Sequence, residues 1–301
     1  MGRPREAFAV SRLFNPVARV TVIRQPTGFV AKNPSFFEST GNAIEITDLR
    51  IQFKVTKNLG KHPNKAIIGV SQLSSTTRAE IERKPLRVML HAGYDGVARL
   101  LFVGDLKRAY SKRAGPTEIV TEMHVADGIR AFAHARMNRS YKPPTSIHRV
   151  LSDAAQSMGL QLPPDIDQAK ELRQPMPSGL SANGATRDVL TRALAPLGYG
   201  WSIQNGQLTI LRDEGVRAGE AFLVNQSTGL VESPEATEPE RPKQRSEVKF
   251  KTLLYPELNP GSAVKLESEF LNLQLKITDV SHEGDTQGTS WTTDVQGRPV
   301  K

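Results

Sequence analysis

The stretch VSHEGDTQGTSWTT, residues 280–293, decides how the last third of the chain is read. His282, Glu283 and Asp285 stand beside a tryptophan, a grouping that fits a metal site, an acid/base pair or a loop between two strands. A zinc-protease helix needs His-Glu-x-x-His, which puts two His ligands on one helical face with a Glu base between them. Here Gly284 and Asp285 follow His282-Glu283, and no second His comes after. A glycosidase needs two carboxylates held rigidly across a cleft, and Glu283 with Asp285 on a glycine-flanked loop has no such support. On either side the pattern is strand-like: Ile277 and Val280 belong to an incoming strand, Trp291 and Val295 to an outgoing one. EGDTQG therefore takes the place of a hairpin loop, built from residues that bond locally or accept positive φ.

Outward from this hairpin, EVKFKTLL, the turn-rich YPELNPG, SAVKLES, LQLKITDVSH and TSWTTDV make residues 247–301 a β region. The first section is β-rich as well, with ARVTVIR (18–24), AIEITDLRIQFKV (43–55), KAIIGVSQL (65–73), LRVMLHAG (86–93), RLLFVGDLKRAYS (99–111) and TEIVTEMHV (117–125). Within 43–55 the apolar alternation changes phase at Thr47 and Asp48, which predicts a bulge or turn there. Short strands at this spacing, separated by Gly, Pro, Asn and Asp, indicate an antiparallel barrel or sandwich over residues 1–126.

Residues 127–215 change character. Asp127 is read as the N-cap of a helix GIRAFAHARM, and TSIHRVLSDAAQSMGL follows with Ile147, Val150, Leu151, Ala154, Ala155 and Met158 on one face, ending at Gly159. TRDVLTRALAPLG closes at Gly198 and leads into YGWSIQNGQLTILRD, where Asn205-Gly206 between alternating apolar residues is a strong hairpin signal. This small α+β unit is expected to pack on the first barrel. Residues 216–246, rich in Ser, Thr, Glu and Pro, read as a linker or crossing loop.

The net charge of +9 is unevenly placed: 25 Lys/Arg against 11 Asp/Glu in residues 1–150 leave 15 against 20 for the rest. Such asymmetry suits an acidic partner, nucleic acid, or oppositely charged surfaces stacked in an assembly. Arg50, Lys54, Lys57, Lys61 and Lys65, interleaved with Ile51, Phe53 and Val55, read as the solvated face of a strand. With no cysteine, disulfides, thiolate metal sites and cysteine nucleophiles are excluded. No apolar run nears the roughly 18 residues of a membrane span, and the first residues lack a secretory core, so synthesis in the cytoplasm without a membrane anchor is expected. Gly69-Val70-Ser71 lacks the second glycine of a nucleophile elbow, and no phosphate loop or dinucleotide fingerprint occurs. His62, His91, His124, His134 and His148 are scattered, and Trp201 and Trp291 read as core or interface anchors.

The order of these parts resembles the baseplate hub proteins of tailed phages, the group of the late control D family and the hubs of Mu-like and contractile tails. STGLVESP, TLLYPELNPGSAVKLES and ITDVSHEGDTQGTSWTT carry the resemblance in the last third; LFVGDLKRA, VTEMHVADGIRAF and GYGWSIQNGQLTIL support it further upstream. It implies a β-rich α+β chain of two antiparallel barrel-like, tail-tube-like domains with a small α+β insert, the second barrel lying in 247–301 and drawing in earlier strands if needed. It further implies a homotrimeric ring in the virion baseplate, joining a hexameric tail tube to a spike or fibre and letting DNA pass without specific binding. No catalytic residue, cofactor or metal is implied. Arg50, Lys54, Lys57, His282, Asp285, Thr286 and Trp291 are the candidate interface residues, with Trp291 packed and His282, Asp285 and Thr286 ordering the hairpin or meeting a neighbouring subunit. Three alternatives stay open: another tube-like tail subunit, such as a distal tail or injector component; a nucleic-acid-binding protein using the basic half; and a carbohydrate-active or wall-degrading tail protein whose turnover would need Glu283 or Asp285.

Overall fold

The computed structural model describes residues 15–24, 43–60, 62–83, 86–163, 166, 169–217, 219, 221–237 and 246–300. Lys61 and the end of the expected linker, 238–245, lie outside them. The first section holds β1 (Pro16–Arg24), β2 (Ala43–Ile46), β3 (Ile51–Asn58), β4 (Lys65–Ser71), α1 (Ser75–Glu82), β5 (Leu86–Tyr94), β6 (Val97–Arg113) and β7 (Ile119–Ala126). Then come α2 (Ile129–His134), β8 (Arg136–Tyr141), α3 (Ile147–Met158), α4 (Lys170–Arg173), β9 (Leu180–Ala185), α5 (Thr186–Leu194), β10 (Tyr199–Gln204) and β11 (Gln207–Arg212). The last section is β12 (Phe222–Val224), β13 (Glu235–Thr237), β14 (Glu247–Leu253), β15 (Ala263–Glu267), β16 (Asn272–Asp285) and β17 (Trp291–Pro299).

Thirteen strands share one sheet, whose main path is β13-β14-β17-β16-β3-β4-β7-β6-β5-β1-β2, with β15 beside β16 and β12 beside β15. All its pairs are antiparallel except β12–β15. The expectation of a mainly antiparallel β chain carrying a small helical part therefore holds. The path ends at β13 and at β2, so among the described residues the sheet is open rather than closed into a barrel. Its two sections meet where β16 lies against β3, from Asp279 opposite Asn58 to Asp285 opposite Gln52.

Local patterning accounts for most elements. In β3 the strict alternation buries Ile51, Phe53 and Val55 and exposes Lys54 and Thr56, as a strand with one face on a core requires. The phase change at Thr47–Asp48 is a break between β2 and β3. In α3 Val150, Leu151, Ala154, Ala155 and Met158 are buried, and Gly159 ends the helix in the left-handed region at φ 65°. Asn205 and Gly206, at φ 53° and 77°, make the tight turn between β10 and β11, a geometry whose twist matches the flanking strands.

Three differences from the sequence reading have physical reasons. The helix expected to run to Met137 stops at His134, because Arg136–Tyr141 pairs as β8 with β9 from Arg136–Ala185 to Tyr141–Leu180. Its N-cap is Gly128 at φ 61°, not Asp127; the Asp127 carboxylate instead accepts the Gly206 N–H at 2.9 Å. Helix α1 lies inside a region read as strand and loop. It is capped by Ser74, whose hydroxyl accepts the Thr77 N–H at 3.1 Å, and anchored by the fully buried Ile81. Within the stretch read as a linker, β12, β13 and a capped turn at Asn225–Thr228 are held to the sheet.

Candidate functional site

The hairpin of β16 and β17 is where the sequence reading placed most of its candidate residues. Its turn is shorter than expected. Strand β16 continues through Glu283, Gly284 and Asp285, because β3 supplies a second hydrogen-bonding neighbour on the far side of β17. Side chains on paired strands point the same way, so the β3–β16 seam sorts the candidates onto two faces.

On the outer face Asp285 is the hub of a polar cluster. Arg50 Nε and Nη2 donate to its two carboxylate oxygens at 3.0 and 2.7 Å, and Gln52 Nε2 donates at 2.9 Å. The Gln287 N–H donates to Oδ1 at 3.0 Å and orders the turn. The Arg50 hydrogen bond, opposed by burial and aided by Gln52 and the Gln287 N–H, holds the carboxyl down to about 2. Thr286 completes the clasp: its hydroxyl accepts the Ile51 N–H at 3.0 Å, and its own N–H donates to the Ile51 carbonyl at 3.1 Å. Lys54 faces Glu283 across the seam at 3.5 Å, both side chains being substantially exposed.

On the inner face Trp291 is 7% exposed. Its ring meets Phe53 edge-on with centroids 5.4 Å apart, and Tyr94 at 6.4 Å. Gly284 lies between them: a Cβ there would come within 2.4 Å of the Phe53 ring and 2.8 Å of the Trp291 ring. The glycine of His-Glu-Gly-Asp is thus an aromatic packing requirement.

Lys57 and His282 also point inward, and here the reading of a solvated charged face fails. Lys57 is completely buried, and its Nζ donates to Asn259 Oδ1 at 2.7 Å. Asn259 belongs to the YPELNPG connection and in turn donates to the Glu257 carbonyl at 3.0 Å. Burial pushes the Lys57 ammonium down to about 7; Asp127 pulls it back up and Arg217 pushes it further down. Burial likewise pushes the Asp127 carboxyl up to about 7, against the Gly206 N–H and the charge of Lys57. His282 is fully buried and shares a 2.9 Å hydrogen bond with Thr293. Burial and the nearby Lys57 drive it well below the usual imidazole range, so it is neutral at neutral pH.

The sequence reading missed Asn64, Asp127, Gln204 and Asn259, which tie the small α+β unit and the YPELNPG connection to this seam. Asn64 accepts the Asn58 N–H at 2.9 Å and donates to the Ile203 carbonyl and to Gln204 Oε1 at 3.0 and 2.8 Å. One signal was available: Lys57 has the same parity as Ile51, Phe53 and Val55. A groove of about 1120 Å³ runs between β10–β11 and β16–β17, crossed by Lys276, whose Nζ donates to the Arg212 and Asp213 carbonyls at 2.8 and 3.2 Å. Its side chains carry both signs and include no nucleophile–base pair. Among the described residues no three His, Asp or Glu side chains gather as a metal site, and no helix is long and apolar enough to cross a membrane.

The fold is similar to those of solved phage tail proteins and of a type VI secretion component. The chain superposes on the 43 kDa tail protein of prophage MuSo2 from Shewanella oneidensis with a TM-score of 0.60 at 9% identity, covering 94% of this chain and 98% of that one. It matches the tail protein of Neisseria meningitidis MC58 with a TM-score of 0.59 at 8% identity, over 93% and 96% of the two chains. A third match is the Escherichia coli c3393 protein, a component of the type VI secretion system similar to the T4 tail proteins gp27 and gp5. Its TM-score is 0.60 at 11% identity, over 84% of this chain and 74% of that one. Residues 37–276 match the baseplate hub gp41 family, and the chain belongs to that family. No curated protein matches it by sequence.

Proposed function

We propose that three copies of this chain form the ring at the centre of a phage baseplate, joining a hexameric tail tube on one side to a spike or fibre on the other. Each copy supplies two sheet sections, joined where β16 lies against β3, so that a threefold ring offers approximate sixfold symmetry to the tube. DNA crosses the ring during ejection without sequence-specific contacts, and the chain performs no chemistry of its own. The observation that carries this reading is the family match over residues 37–276. The β3–β16 seam supports it, because two sheet sections locked by buried side chains make a rigid adaptor. The outer-face residues Arg50, Lys54, Asp285 and Thr286 are proposed to lie toward a neighbouring subunit or tail protein, with Lys57, His282 and Trp291 holding that surface from beneath.

The test is the mass of the purified chain by light scattering, alone and mixed with tail tube or spike proteins. Three times the 33.1 kDa chain mass, reached alone or on adding a partner, is the expected result. A monomer that ignores tail proteins overturns the reading. The fold shared with the type VI component favours one second reading, an injector subunit, which a ring that binds only secretion-tube proteins would establish.

A further inference from the structure

We infer that copies of this chain join head to tail through two sheet edges of opposite charge: the far half of β6 in one copy against residues 229–237 of the next. This rests on the ring proposed above and assigns the surfaces that close it. Strand β6 pairs with β5 only as far as Asp105, opposite Arg87. From there to Arg113 its one strand partner among the described residues is β7, while Ser111 donates to Glu82 of α1 at 3.1 Å, so along these residues its other edge has no described strand partner. A long open edge of this kind is a template for another strand. Residues 106–113 carry Lys107, Arg108, Lys112 and Arg113 with no acidic residue; all four are exposed, and Lys112 meets Glu122 of β7 at 2.5 Å.

The β13 end of the path is the charge complement. Among the described residues strand β13 pairs only with β14, and its three residues are exposed. The segment before it also runs along β14, through the Val231 N–H on the Lys251 carbonyl at 2.9 Å and the Leu253 N–H on the Gly229 carbonyl at 2.8 Å. Residues 229–237 carry Glu232 and Glu235 and no cation, with Lys251 of β14 on Glu232 at 3.1 Å and Lys249 opposite Glu235. Pairing of two β6 edges would oppose four cations to four, and pairing of two β13 edges would oppose carboxylates; only the mixed contact joins opposite signs. Direction agrees. From β13 to β6 the eight strands alternate strictly, so β13 and β6 run in opposite senses and a β6–β13 contact extends the antiparallel ladder. A contact between two different edges is heterologous, which generates a closed ring when its rotation permits.

The test compares four full-length chains by sedimentation at physiological salt, alone and with a tail tube partner: wild type, Lys107→Glu with Arg113→Glu, Glu232→Lys with Glu235→Lys, and the chain carrying all four changes. Each edge reversal is expected to weaken assembly about tenfold or more, and the fourfold chain to return toward wild type. Circular dichroism and melting establish that each chain folds; where a reversal does not, Lys107→Gln with Arg113→Gln replaces it, with a smaller loss expected. If the wild type assembles and both edge-reversed chains assemble equally well, or if the fourfold chain stays as weak as its parents, the edge assignment is wrong while the hub reading stands. A wild type that remains monomeric with every tail partner overturns both.

Discussion

The two faces of β3 share one backbone and lie in opposite surroundings, one polar and partly exposed, the other buried. Outward, Gln52, Lys54 and Thr56 meet Asp285, Glu283 and Ser281 of β16 in a hydrated row of polar contacts. Inward, Phe53, Val55 and Lys57 meet Gly284, His282 and Val280 in a dry row. Lys54 and Lys57 make the contrast sharpest. The Lys54 side chain is 60% exposed beside Glu283, while Lys57 is wholly buried on Asn259. A charge on the outer face adjusts the surface, whereas the same charge on the inner face must be solvated by the protein itself.

The largest expected effect breaks the inner face at its aromatic anchor. Trp291→Ala removes the ring that Phe53 and Tyr94 pack on, and should lower unfolding stability by about 3–5 kcal/mol, read by urea denaturation. An unchanged midpoint would mean that Trp291 is not a packing element.

Next comes Lys57→Met, which keeps the apolar stem and deletes the buried amine. Leaving Asn259 Oδ1 without its donor should cost about 1–3 kcal/mol. The pH dependence gives a second readout. The folded Lys57 titrates near 7 and an unfolded lysine near 10.5; between these values the unfolded chain holds more protons, so wild-type stability gains with rising pH. The gain should be missing from Lys57→Met when melting temperatures are compared across that window.

On the outer face Asp285→Asn should cost about 1–3 kcal/mol, because it keeps the shape and loses the charge-assisted bonds to Arg50. With the folded carboxyl near 2 and the ordinary value at 3.8, its contribution is present above pH 3.8 and disappears as pH falls through 2. Acid titration of the two chains should converge there. Lys54→Ala should be the mildest change, about 0.2–1 kcal/mol and shrinking with added salt. A loss as large as that of Lys57→Met would erase the distinction between the faces.

Much of this could be read from residue order. Alternation located β3, β4, β5 and β7, Asn205-Gly206 located the β10–β11 turn, and Gly159 ended α3, since each depends on neighbours within a few positions. The same parity that buries Ile51, Phe53 and Val55 also points Lys57 inward, and the phase of the strand outweighs the charge of one side chain. The candidates Arg50, Asp285 and Thr286 come together as one clasp, whereas nothing local indicates that Asn259 would receive Lys57 or that Asp127 would leave its helix for the Gly206 turn.

By itself the sequence determined the β-rich character, the hairpins, the helical faces and the opposite charge of the two halves, because propensity, periodicity and charge count are properties of short segments or of sums. Only the tertiary structure decided that β16 lies beside β3, that Glu283 to Asp285 are strand rather than loop, and that a lysine is buried. Those outcomes depend on which distant strand occupies the neighbouring position. A hydrogen-bonding edge accepts any backbone, and the choice is made by side chains more than two hundred residues apart.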